Sequence, residues 1–137
     1  MYLLRQGRLE RQTQDHNLML HLMQMGMTAG EARAQKGSQA LTSFLGIGNI
    51  SSAGLIGRNI QPIRLQVNDI LLLCSDGITK TIPDGQIREI LMSQGGDADQ
   101  KARMLVQTAT HKNTRSQDNT SALVLEYTME SMQESGR

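Results

Sequence analysis

Asp69-Ile-Leu-Leu-Leu-Cys-Ser-Asp-Gly-Ile-Thr-Lys80 is the stretch from which the fold is read. The unbroken apolar run from Ile70 to Cys74 is too short for a helix and far too short to cross a membrane. Closed by Ser75-Asp76-Gly77, it predicts a strand buried on both faces, because a half-exposed strand would alternate. Asp76 then stands at the rim of a sheet on a rigid stalk, where a metal ligand or a catalytic acid is held best. Asp-Gly after a strand is also a common turn dipeptide, with Asp bonding to its own backbone and Gly accepting positive φ. Both readings are open on these residues alone.

Working outward, Ile60 to Val67 alternates apolar and polar residues, which predicts a strand. The Asn68-Asp69 turn should make it an antiparallel neighbour of the central strand. Downstream, Asp84 is placed to cap a helix running through Met92, with Ile87, Ile90 and Leu91 as its buried stripe. A second helix is expected from Asp97 to Thr110, with Ala102, Leu105, Val106 and Ala109 at helical spacing. After a polar loop, Asp118-Asn119 precedes a strand over Ser121 to Tyr127.

Upstream, Tyr2 to Arg5 and Arg8 to Gln12 read as a hairpin joined through Gln6-Gly7. A helix follows over His16 to Met25, with Asp15 placed to cap it and Gly26 to end it. Thr28-Ala-Gly-Glu31 has capping-box spacing and predicts a short helix to Gln35. Glycines punctuate Lys36 to Gly57, an irregular and mobile excursion by pattern. They do not fit a phosphate loop, since no Gly-Lys-Ser/Thr follows at the required spacing. Strands and helices come in blocks, so the expected class is α+β with an antiparallel sheet.

The chain of 137 residues is one ordinary domain in length, and its 14 basic and 13 acidic residues are spread without long blocks. That balance predicts neither nucleic acid nor a membrane as partner. A lone cysteine, Cys74, cannot form an intramolecular disulfide, and a reducing, cytoplasmic setting is expected. No base lies near it in sequence, so an inert core thiol is expected rather than a nucleophile. His16, His21 and His111 are too scattered for a metal triad, and His21 reads as a packing residue. The Met-rich helix reads as core filler, with a partner groove as the alternative. Lys112 and Arg115 could attract a phosphoprotein or simply line a solvated loop.

Two carboxylates stand out by position: Asp76 after one strand and Asp118 before another. If those strands are antiparallel neighbours, both carboxylates fall at one rim. Hard oxygen donors without adjacent His or Cys suit Mg²⁺ or Mn²⁺ rather than zinc, and Mg²⁺ needs few carboxylates because it keeps several waters.

Leu72-Leu-Cys-Ser-Asp-Gly-Ile-Thr79, followed by Asp118-Asn119-Thr-Ser121 and an apolar strand, resembles the C-terminal half of the PPM (type 2C) metal-dependent protein serine/threonine phosphatases. Other pieces agree in the family's order. Tyr2-Leu-Leu-Arg-Gln-Gly-Arg-Leu9 resembles its hairpin, and Gln12-Thr-Gln-Asp-His-Asn-Leu18 its threonine–x–aspartate–histidine–serine element. Thr28-Ala-Gly-Glu-Ala32 and Ala40-Leu-Thr42 with Leu45-Gly46 resemble its flap, here about 26–57. The match covers 1–127 and leaves 128–137 as a polar tail.

The resemblance implies part of a four-layer α-β-β-α sandwich of two antiparallel sheets. It implies hydrolysis of phosphoserine and phosphothreonine proteins, including substrates of a cognate kinase, with Mn²⁺ or Mg²⁺ as cofactor. Carried over by position, it makes Asp76 and Asp118 metal ligands, flanked by Gly77 and Asn119, and gives Asp15 a third metal as an alternative to capping. It assigns no catalytic residue here. The family's bridging aspartate and phosphate-binding arginine have no counterpart in these residues, and the family's order would put both before Met1. Met1 is therefore expected to be an internal methionine or a truncation, and the 137 residues alone inactive or feeble. The alternative is a catalytically inactive remnant, or pseudophosphatase, that binds a partner.

Overall fold

The computed structural model describes residues 1–13, 15–42, 62–112 and 118–129. In chain order they form β1 (Tyr2–Arg5), β2 (Arg8–Arg11), α1 (Leu18–Gln24), α2 (Ala29–Ala34), β3 (Asp69–Cys74), α3 (Asp76–Thr79), α4 (Asp84–Met92), α5 (Ala98–His111) and β4 (Ala122–Tyr127). They fall into two compact units, Met1–Gln12 with Pro62–Arg137, and Thr13–Gln61.

In the first unit, β1 and β2 form the expected hairpin. Gln6 and Gly7 both take left-handed backbone, with φ of 50° and 77°, which lets a two-residue turn follow the twist of its strands. The sheet order is β2-β1-β3-β4, and every pairing is antiparallel. Both edges of β3 are thus taken, by β1 and β4. The strand expected over Ile60 to Val67 is not formed among its described residues, because no edge of β3 is left for it. Instead Asn68, at φ 72°, turns the chain into β3, and the Asp69 amide donates to the Gln66 carbonyl at 2.9 Å.

One face of the sheet carries the core. Tyr2 and Leu4 of β1 and Leu72 of β3 pack with Ile78, Ile82, Ile87, Ile90, Leu91, Leu105 and Ala109 from the helical side. Full burial of such side chains contributes roughly 1.5–3 kcal/mol each. Leu9, Ile70, Cys74, Ala122 and Val124 pack against this cluster from the same face. Alternation puts Leu71, Leu73, Leu123, Leu125 and Tyr127 on the other face, where Leu73 is 46% and Leu123 57% exposed. The expectation that β3 is buried on both faces therefore fails. Its continuous apolar run is packed on one side and half open on the other. Among the described residues there is one sheet, so the fold is α+β with an antiparallel sheet, and the second sheet of the expected sandwich is not seen among them.

The helices follow their local signals closely. Asp97 caps α5 with a full capping box to Gln100, and Leu105 and Ala109 face inward as the spacing predicts. α4 buries Ile87, Ile90 and Leu91 as expected, but its N-cap is Pro83. Asp84 lies one residue inside, in the first turn, where a carboxylate favours the helix dipole, and it accepts from the Tyr2 hydroxyl at 3.4 Å. Lys101 is the surprise of α5. It is 7% exposed and its Nζ meets Glu126 Oε1 of β4 at 2.5 Å.

In the second unit α1 begins later than the sequence predicts. Asn17, not Asp15, is its N-cap, accepting from the Leu20 amide at 2.9 Å. Asp15 lies two residues too early to cap this helix; its carbonyl accepts from the Asn17 amide instead. Gly26 follows the helix at φ 99°, and Thr28 and Glu31 form the expected capping box of α2. Buried side chains here are few, Ala32 and Ser38 among the described residues. His21 is accordingly exposed rather than packed, and Met23, Met25 and Met27 are exposed rather than core filler. Residues 43–61 of the expected excursion and 130–137 of the tail lie outside the described residues.

Candidate metal centre

β3 and β4 pair in register from Asp69↔Tyr127 to Cys74↔Ala122, so the end of one strand meets the start of the other. Just beyond that last pair the two segments are stitched together. The Ser75 amide donates to the Ser121 carbonyl at 3.0 Å, the Ser121 amide donates to Ser75 Oγ at 3.0 Å, and Ser75 Oγ donates to the Asn119 carbonyl at 3.0 Å. Asp76 and Asp118 are thus carried to one rim.

Asp76 does not sit in a turn with a left-handed glycine. It opens α3, and Gly77 is a buried helical residue. What demands glycine there is closeness: a Cβ at Gly77 would lie 2.6 Å from the Asn119 carbonyl oxygen and 2.7 Å from Thr120 Oγ1. The turn-dipeptide reading is overturned on that point, since the missing side chain serves contact with the Asp118 segment rather than a positive φ.

The two carboxylates converge on one cation. Lys80 Nζ lies 2.7 Å from Asp76 Oδ2 and 3.4 Å from Asp118 Oδ2. Bonding to Asp76 raises the Lys80 ammonium above its usual range, with Asp118 adding to the effect and partial burial opposing it. Asp118 Oδ1 accepts from the Asn119 amide at 2.9 Å, which fixes the carboxylate's plane. Both side chains are about half exposed, at 57% and 51%, so the rim is open to solvent. Two hard oxygen donors aimed at a point already holding a positive charge fit a divalent cation that keeps most of its waters. No group of three or more His, Cys, Asp or Glu placed to hold a metal occurs among the described residues.

Asp15 lies in the second unit, exposed. Cys74 is half-buried against the core. Lys112 is engaged by Gln86 Oε1 at 2.8 Å, and Arg115 lies outside the described residues. Sequence reasoning missed two groups. Lys80 was legible as an Asp–Lys pair at i,i+4, had a helix been expected after Asp76. Asp69, read only as a polar entry to the strand, is 1% exposed and forms a two-pronged pair with Arg5, at 2.6 and 2.9 Å, while accepting the Gln66 amide at 2.7 Å.

No protein-family model matches the sequence. The chain is 32% identical to the serine/threonine phosphatase stp of Listeria innocua over 94 residues, 68% of this chain and 35% of that protein. In backbone it resembles the serine/threonine phosphatase of S. agalactiae, with a TM-score of 0.70 and 27% identity over 92% of this chain and 50% of that one. It also resembles the catalytic domain of the phosphatase PstP in complex with two manganese ions, with a TM-score of 0.53 and 25% identity over 90% and 46% of the two chains. In sequence and backbone the chain is therefore similar to the C-terminal half of PPM-type serine/threonine phosphatases. It spans about a third of the length of the curated relatives it matches and about half of the solved ones. No described helix is long and apolar enough to cross a membrane.

Proposed function

We propose that this chain is a portion of a metal-dependent protein serine/threonine phosphatase, with residues 1–127 as its C-terminal part, in which Asp76 and Asp118 hold Mn²⁺ or Mg²⁺. The observation that carries this reading is the convergence of the two carboxylates on a single cation at one sheet rim. A bound ion would supply an activated water and charge neutralisation at the phosphoryl oxygens. The chain's own part is to aim the ligands: β3 and α3 direct Asp76, the Asn119 amide orients Asp118, and the close contact at Gly77 holds the two together. Asp15 would serve a further ion. Substrates would be phosphoserine and phosphothreonine proteins, products of a cognate kinase, in the reducing cytoplasm that a lone thiol suits. The family's second sheet would cover the open face of β3 and β4.

The experiment is Mn²⁺-dependent hydrolysis of a phosphothreonine peptide, with Asp76→Asn as control. Metal-dependent turnover lost in the mutant supports a working centre in this chain. Mn²⁺ binding through Asp76 without turnover supports a centre whose substrate clamp lies elsewhere. Absence of both would leave the second reading, a non-catalytic partner-binding module, which the open apolar face favours.

A further inference from the structure

Lys80 has a fixed relation to both carboxylates. α3 is a single turn, and the Lys80 amide closes it by donating to the Asp76 carbonyl at 2.8 Å. That puts the lysine stem one turn beyond Asp76 on the same side, the favourable order of acid before base at i,i+4. From there the ammonium reaches across to the other segment and meets Asp118 Oδ2. On Asp118 both oxygens already have a donor, the Asn119 amide on Oδ1 and Lys80 on Oδ2. The first is backbone and cannot leave without unmaking the loop. The second is the tip of a side chain that is 57% exposed and can swing into water.

We infer that Lys80 is a tethered counter-cation: it holds the Asp76 and Asp118 carboxylates together and competes with a divalent ion for their oxygens. This rests on the metal-binding reading above. Two like-charged carboxylates at one rim repel, and an ammonium between them offsets that repulsion. A divalent cation seeking the same oxygens must displace the lysine and then tolerate its positive charge nearby. Lys80 is thus a positioning residue with opposed effects, favouring the aligned carboxylates and weakening metal affinity.

The test is Mn²⁺ binding to the full chain, followed by calorimetry and by the electron paramagnetic resonance signal of free Mn²⁺ at fixed ionic strength. Lys80→Met keeps most of the stem and removes the charge, and circular dichroism checks that the exposed substitution leaves the fold intact. We expect Lys80→Met to bind Mn²⁺ about tenfold more tightly, a difference of about 1.4 kcal/mol. Lys80→Arg should bind like the wild type, and Asp76→Asn should bind much more weakly. Binding by Lys80→Met alone, with none by the wild type, would also support the inference. If Asp76→Asn weakens binding but Lys80→Met equals the wild type or is weaker, the inference falls and the metal site stands. If Asp76→Asn leaves affinity unchanged, or neither wild type nor Lys80→Met binds, the site reading falls and takes the inference with it.

Discussion

The backbone of Gly77 lies so close to the Asn119 carbonyl that an added Cβ would stand 2.6 Å from its oxygen. That contact keys the start of α3 to the segment carrying Asp118, and two backbone groups have no flexible side chain to yield. Gly77→Ala should therefore push the segments apart, at a cost of about 1–3 kcal/mol typical of overpacking. It should also weaken any Mn²⁺ binding through Asp76 and Asp118. Urea denaturation and calorimetry read the two effects, and an unchanged midpoint would mean that the contact is easily relaxed.

Asp69 and Arg5 predict an acid-sensitive fold. The Arg5 guanidinium, helped by the Gln66 amide and opposed by burial, holds the Asp69 carboxyl below the usual carboxylate range. Because the folded pKa is depressed, the unfolded chain binds more protons in the acid region. The stabilisation is complete above the ordinary aspartate pKa of about 4 and is lost as pH falls through the folded value. Asp69→Asn should cost about 1.5–2 kcal/mol at neutral pH, the low end for hydrogen bonds to charged groups because Arg5 is part-exposed. It should also flatten the acid limb of a stability–pH curve. An acid limb identical to the wild type would remove Asp69 from the account.

Lys101 and Glu126 join α5 to β4 from inside the packed face. Removing one partner strands a charge, whereas replacing both with apolar groups removes the desolvation cost as well. Lys101→Met should destabilise by about 1–3 kcal/mol, less than a fully buried pair would because Glu126 keeps some solvent. The double variant Lys101→Met with Glu126→Leu should recover most of that loss. Thermal melts of the four members of the cycle decide it, and a double variant worse than the single would refute the argument.

How much of this was readable without coordinates depended on whether the signal was local. The Gln6-Gly7 hairpin, the Thr28–Glu31 box, the apolar stripe of α4 and the Ala122 to Tyr127 strand each rest on neighbours in sequence, and each formed. The strand expected over Ile60 to Val67 failed because pairing is settled by which edges remain, and β1 returns from the start of the chain to take that edge. α3 escaped notice because four residues carry too little periodicity to register. With it went Lys80, whose role depends on a residue 38 positions away. The positions of Asp76 and Asp118 at one rim were legible once their strands were assumed adjacent. The ion proposed for them follows from donor chemistry, not from strand spacing.

The open face of the sheet yields the last prediction. Leu73 pairs with Leu123 and Leu71 with Leu125, so apolar side chains from both strands form one continuous patch, with Tyr127 at its end. Large exposed apolar patches drive association. The isolated chain should self-associate in a concentration-dependent way through this face. Replacing Leu123 with Thr and Leu125 with Lys should shift it toward monomer in sedimentation velocity, with little loss of stability, because both side chains already face water by 57% and 42%. The substituted strand keeps its ladder to β3, since those bonds are backbone. A wild-type chain that stays a monodisperse, cooperatively melting monomer at high concentration would show that this face is sufficiently covered in solution.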